Sequence, residues 1–108
     1  MKQRVVIVTE SFLPSLNGVT NSVLRILDTL HSLGHEALII APTSPVDEYL
    51  GFKVVKTKHF HFKQFPVAMP LLAMKQIFLE FKPDVVHVAA PFALGNQALR
   101  VAKKLNIP

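Results

Sequence analysis

The chain has 108 residues, 50% of them hydrophobic, with 12 Lys and Arg against 7 Asp and Glu and a formal charge of +5. That length makes one domain or part of one, able to bury about 60–68% of the surface its unfolded form exposes. With no cysteine, a disulfide framework, a thiol nucleophile and a thiolate metal site are excluded. The apolar runs fall far short of the roughly 18 residues that span a bilayer, so the expectation is a cytoplasmic protein, peripheral on the inner membrane face at most, with a mild preference for anions.

The first element is a β-branched run, Val5 to Val8, that reads as a central parallel strand with both faces covered. Thr20 to Leu33 follows as a helix, its stripe formed by Val23, Ile26, Leu27, Leu30 and Leu33, and Gly34 supplies the stop. Ala37 to Ala41 is the second strand and Lys53 to Thr57 the third. The long connection from Lys58 to Pro70 contains HFHFKQF, an alternation that fits either a short extra strand or a hairpin arm. Leu71 to Phe81 reads as a helix ended by Pro83, Val85 to Val88 as the fourth strand, and Phe92 to Leu105 as the last helix.

This alternation implies an α/β fold, a three-layer parallel sheet with right-handed crossovers. In such a sheet ligands gather beyond the carboxyl ends of the strands, which is where Glu10 to Val19 lies. The loop closes with Asn17 and Gly18 and hands over to a helix whose first N–H groups lack partners, a place that suits phosphate. Asn-Gly is equally an ordinary turn signal. GxGxxG and GxxxxGK[ST] are both absent, which counts against a dinucleotide fold and against a nucleoside-triphosphate loop.

Residues 4–42 carry IVTE, FLP, NGV and LHSLGHEA in order, residues 83–108 carry PDVVHVAAPFALG, and residues 65–70 are FPVAMP. In these motifs the chain resembles the amino-terminal domain of retaining glycosyltransferases of the two-domain GT-B fold, the family 4-like group, especially bacterial lipid-directed mannosyl- and glucosyltransferases. The resemblance implies a Rossmann-like, acceptor-side domain over residues 1–108, with the nucleotide-sugar domain and the catalytic groups beyond it. It implies hexose transfer from GDP-mannose or a UDP-hexose to a lipid or sugar hydroxyl with retention, no cofactor, and inactivity of residues 1–108 alone. It also implies that Gly18, with Asn17 and Val19, lies at the donor diphosphate. Many members have glycine where this chain has Asn17.

Further candidates face the acceptor side. Glu10 either orients an acceptor hydroxyl or caps a loop, and it lacks the acidic partner that paired-carboxylate hydrolysis requires. His59 and His61 share a strand face but have no third ligand, so no metal is expected. His87 sits in VVHVAA, most simply as a near-core group bonded to backbone, and Asp84 reads as a turn residue. Pro91, Phe92 and Gly95 open the last helix beside the cleft. Lys53, Lys56, Lys58 and Lys63 interleave with Phe60, Phe62 and Phe65, a composition that suits a membrane surface or a single-stranded nucleic acid alike, and of the two the resemblance favours an anionic membrane surface. No RNP, KH or zinc pattern supports nucleic-acid binding.

Two alternatives stay open, a non-catalytic α/β interaction domain and another nucleotide-dependent enzyme of this architecture. An uncovered fourth strand would favour self-association.

Overall fold

The computed structural model of the chain describes residues 2–10, 12–13, 17–42, 44–56, 61–62, 65–66, 71–89 and 93–108, of which 61–62, 65–66, 71–72 and 93 are described in backbone only. In chain order the elements are β1 (Arg4–Val8), α1 (Gly18–Ser32), β2 (Glu36–Ala41), β3 (Glu48–Tyr49), β4 (Phe52–Lys56), β5 (His61–Phe62), β6 (Phe65–Pro66), α2 (Leu71–Phe81), β7 (Val85–Val88) and α3 (Ala93–Lys104). The main sheet has the order β3-β4-β2-β1-β7. All its neighbours are parallel except β3, which runs antiparallel to β4.

The apolar runs of β1 and β2 form the middle of the sheet because a strand there must be apolar on both faces. Val6 and Val8 with Leu38 and Ile40 point to one side, against Met74 and Phe78 of α2 and Leu94, Ala98, Val101 and Ala102 of α3. Val5, Ile7, Ala37 and Ile39 point to the other, against Val23 and Leu27 of α1. Burying one such aliphatic side chain stabilises the fold by about 1.5–3 kcal/mol. The α/β parallel-sheet expectation holds, and α2 and β7 keep their expected bounds.

The hairpin of β3 with β4 is an addition. Leu50 (φ 53°) and Gly51 (φ 84°) form its two-residue turn with both residues in the left-handed region, as a primed turn requires. Leucine is disfavoured there, so no turn signal marked the hairpin. Tertiary packing carries it instead: Tyr49 lies edge-on to Phe12, ring centroids 6.2 Å apart, and Phe52 is buried. Where HFHFKQF was expected to form an extra strand or a hairpin arm, β5 and β6 pair antiparallel, with His61 opposite Pro66 and Phe62 opposite Phe65, and the rest of that segment lies outside the described residues.

Two leucines of the helices, one of them the expected stripe residue Leu33, lie outside the core. Leu33 is 65% exposed and Leu99 is 48% exposed. Leu33 is the residue that caps α1 rather than one of its turns. Gly34 follows at φ 77°, its N–H bonding His31 O at 3.1 Å while His35 N–H bonds Leu30 O at 2.9 Å, which is a Schellman closure. Asn106 closes α3 in the same way at φ 57°, with Ile107 N–H donating to Ala102 O at 2.8 Å.

At the amino edge of the sheet, Arg4 ties β1 to β2, to α2 and to the segment that enters β7. Its Nε donates to Phe81 O at 2.7 Å, its guanidinium lies 4.2 Å from the Phe81 ring centroid and it pairs with Glu36. Its N–H bonds the Asp84 carboxylate at 2.8 Å. On the outer side of β7, Val86 N–H donates to Pro108 O at 2.8 Å, so the chain after α3 returns alongside that edge.

Candidate functional site

From β1 the chain passes through α1 to β2 on one side, while β7, reached through α2, lies on the other side of β1. Successive connections leave in opposite directions at this point, and the carboxyl ends of β1 and β7 therefore bound the crevice in which sheets of this kind take ligands. Both α1 and α3 begin at that edge, so two helix N-termini, whose first N–H groups have no partner within the helix and which carry positive partial charge, face the same end of the sheet.

The first N-terminus is built from its own turn. Asn17 has extended backbone (φ −140°, ψ −178°) and its side chain accepts from Thr20 N–H at 2.9 Å, while Asn21 N–H bonds Asn17 O at 2.9 Å. Asn-Gly is therefore an N-cap followed by the first helical residue, not a turn, and α1 starts two residues earlier than the apolar stripe suggested. The side-chain signal was Asn17 with its acceptor three residues before Thr20. Capping satisfies the third N–H of the helix. Those of Gly18 and Val19 have no acceptor among the described residues, and the first turn has no acidic side chain.

Gly18 is exposed, has no positive φ, and a Cβ built on it would meet nothing within 4 Å. Neither backbone strain nor internal packing asks for glycine at this position.

The second N-terminus is closed from a distance. Glu10, two residues past β1, accepts Leu94 N–H at 2.8 Å and Gly95 N–H at 3.1 Å, both on the same carboxylate oxygen. A residue 84 positions away thus supplies the cap for α3, whose own first turn lacks an acidic side chain. Sequence reasoning named Glu10 and Gly95 separately but did not see that they meet, and Leu94 was missed because its part is played by its backbone. Gly95 is buried.

His87 is exposed, contrary to the near-core expectation. It pairs in register with Ile7, but β7 has a strand partner on one side only, and a position that a central strand would bury is left open. Asp84 is a structural residue whose carboxylate holds Arg4 N–H. His59, Phe92, Lys58 and Lys63 lie outside the described residues, and His61 is described only as backbone in β5. Of the lysine group, Lys56 is ion-paired with Asp47 and its side chain is 10% exposed, while Lys53 lies opposite Glu48 across the β3–β4 pair. Lys56 is therefore ion-paired, while Lys53 is exposed.

Among the described residues no group of three His, Cys, Asp or Glu is placed to hold a metal ion, and no helix is long and apolar enough to cross a membrane. A cavity of about 320 Å³ lined by Phe78, Leu79, Lys82, Pro83, Leu105 and Ile107 lies at the opposite edge, where α2 and α3 end, away from both helix starts.

A parallel sheet covered on two faces, with an open helix N-terminus at its switch point, defines a Rossmann-like α/β domain with its ligand crevice after the first strand. Residues 16–108 match Glycosyltransferase Family 4, and the chain belongs to that family. It is 43% identical to a GDP-mannose-dependent alpha-mannosyltransferase of Corynebacterium glutamicum, over 97% of this chain and 27% of that protein. A protein described in the same words from Mycobacterium tuberculosis is 41% identical over 97% of this chain and 30% of its own length. The alpha-monoglucosyldiacylglycerol synthase of Acholeplasma laidlawii is 31% identical over 97% of this chain and 28% of its own. The chain thus spans less than a third of the length of these relatives.

Proposed function

We propose that this chain is the acceptor-side, amino-terminal domain of a retaining hexosyltransferase that moves a hexose from a nucleotide sugar, GDP-mannose by first choice and a UDP-hexose by second, to a hydroxyl of a lipid or glycolipid. The observation that carries the reading is the open start of α1, where Asn17 caps the helix without charge and leaves the N–H groups of Gly18 and Val19 with no acceptor among the described residues, beside a glycine whose Cβ position is open. Negative charge grows on the leaving diphosphate as the glycosidic bond breaks, and fixed N–H dipoles aimed at it stabilise that charge without reorganising. Support for the donor comes from the two mannosyltransferase relatives, whose names specify GDP-mannose, and support for a lipid acceptor from the glucosyldiacylglycerol synthase. In this reading the remaining donor contacts come from a second domain, residues 1–108 alone are inactive, and the full protein works at the inner face of the membrane.

The test is hexose transfer by the full-length protein from a panel of nucleotide sugars to a membrane lipid extract, with Gly18→Val in parallel. Because the space at Gly18 is open, the variant should fold, with unchanged circular dichroism. Transfer from one donor should fall at least about tenfold, equivalent to about 1.4 kcal/mol of lost transition-state stabilisation. Full activity in the variant would remove the diphosphate from α1. No transfer with any donor would remove the enzyme reading.

A further inference from the structure

The carboxylate of Glu10 lies at the N-terminus of α3, a position that suits an anion. Both N–H groups that it accepts, Leu94 and Gly95, belong to the first turn of α3, and that turn begins at the same sheet edge as α1. The two N-termini carry the same backbone dipole and neither has an acidic residue of its own in its first turn. Without Glu10 the crevice would therefore present two competing anion-binding ends, one on each side of β1. With it, the field of α3 is met by a charge that belongs to the protein.

We propose that Glu10 is a positioning and specificity-determining residue: its carboxylate permanently fills the N-terminus of α3, so that an incoming diphosphate finds a single receiving helix, α1. Glu10 does not touch the substrate in this role. It acts through α3, which it fixes to the carboxyl end of β1, and through exclusion, because its negative charge repels a second anion from those two N–H groups, whereas an anion displaces a neutral acceptor from them. The inference rests on the reading of α1 as the diphosphate end, and the experiment separates the two.

The probe is inorganic pyrophosphate, titrated into the ¹⁵N-labelled chain while the backbone amide resonances of Gly18, Val19, Leu94 and Gly95 are followed. In the wild-type chain the Gly18 and Val19 amides should shift saturably and those of Leu94 and Gly95 should stay still. In Glu10→Ala, and in Glu10→Gln, which keeps an acceptor of the same length and so keeps α3 in place, Leu94 and Gly95 should also respond. A merely structural cap, kept in Glu10→Gln, would leave those amides insensitive to pyrophosphate in that variant.

Movement of Leu94 and Gly95 in the wild type, or their silence in a folded Glu10→Gln chain, would overturn the role given to Glu10. Silence of Gly18 and Val19 in the wild type, with Leu94 and Gly95 opened by either variant, would instead overturn the diphosphate reading of α1 and leave the exclusion by Glu10 standing.

Discussion

The starts of α1 and α3 face the same edge of one sheet and solve one problem in opposite ways. At α1 the cap is local and neutral, a side chain three residues before its donor. At α3 it is remote and charged, a carboxylate 84 positions before its donor. A local cap satisfies one N–H and leaves the field of the helix for a ligand, whereas a charged cap cancels that field and ties two distant segments together. An N-terminus is thus a binding site or a structural joint according to what caps it, since the helix itself is the same in both.

The largest difference should appear in stability. Glu10→Ala removes two hydrogen bonds to a charged acceptor and loosens α3 from β1, which should cost about 2 kcal/mol. Asn17→Ala removes one neutral cap and should cost about 1 kcal/mol. Both are read as a lowered denaturation midpoint at unchanged denaturant slope. A larger loss for Asn17→Ala than for Glu10→Ala would reverse the comparison and make the remote contact incidental.

A smaller effect sharpens the comparison by making α1 resemble α3. Asn17→Asp keeps the capping oxygen and adds the charge that Glu10 supplies elsewhere, so stability should rise by about 0.3–1 kcal/mol at low salt and less at high salt. Pyrophosphate binding, followed on the Gly18 amide, should weaken over the same range of salt because the new charge repels it. Stability and binding moving in opposite directions is the signature of an N-terminus kept neutral for a ligand. If both rise together, the open N–H groups of Gly18 and Val19 are not where the anion binds.

Much of this architecture is written locally. The β-branched run of β1, the stripe of α1 and the Gly34 stop each follow from neighbouring residues, and so α2 and β7 came out with their observed bounds. The start of α1 was local too, but the apolar stripe was read ahead of the cap at Asn17. What was not legible joins residues far apart in the chain. The contact of Glu10 with α3 exists only once β1 and β7 are paired, and the turn at Leu50 and Gly51 is held by Phe12 and Tyr49 against the preference of leucine. The exposure of His87 follows from the position of β7 at the side of the sheet, which no property of VVHV encodes.

The smallest predicted effect lies at the other end of α1, where Tyr49 of the hairpin donates its O–H to Asp28 at 3.0 Å. This is a side-chain tether between elements like that of Glu10, but without burial of the carboxylate and without a helix end to neutralise. Partial burial first, and then the hydrogen bond and negative charge of Asp28, raise the phenol above its ordinary value of about 10. A raised folded-state value means that the folded chain holds the proton more tightly than the unfolded chain does. The stabilisation is therefore complete below about pH 10 and is lost as the pH climbs through the folded value. Tyr49 is the sole tyrosine, so the phenolate absorbance in an alkaline titration reports it alone. The midpoint should lie above 10 in the native chain and fall in Asp28→Asn, though not all the way, because burial remains. Tyr49→Phe should lower stability at neutral pH by no more than about 0.5–1 kcal/mol and should remove the phenolate's share of the alkaline loss. A midpoint unmoved by Asp28→Asn would leave burial as the sole cause and reduce this tether to a contact between the hairpin and α1.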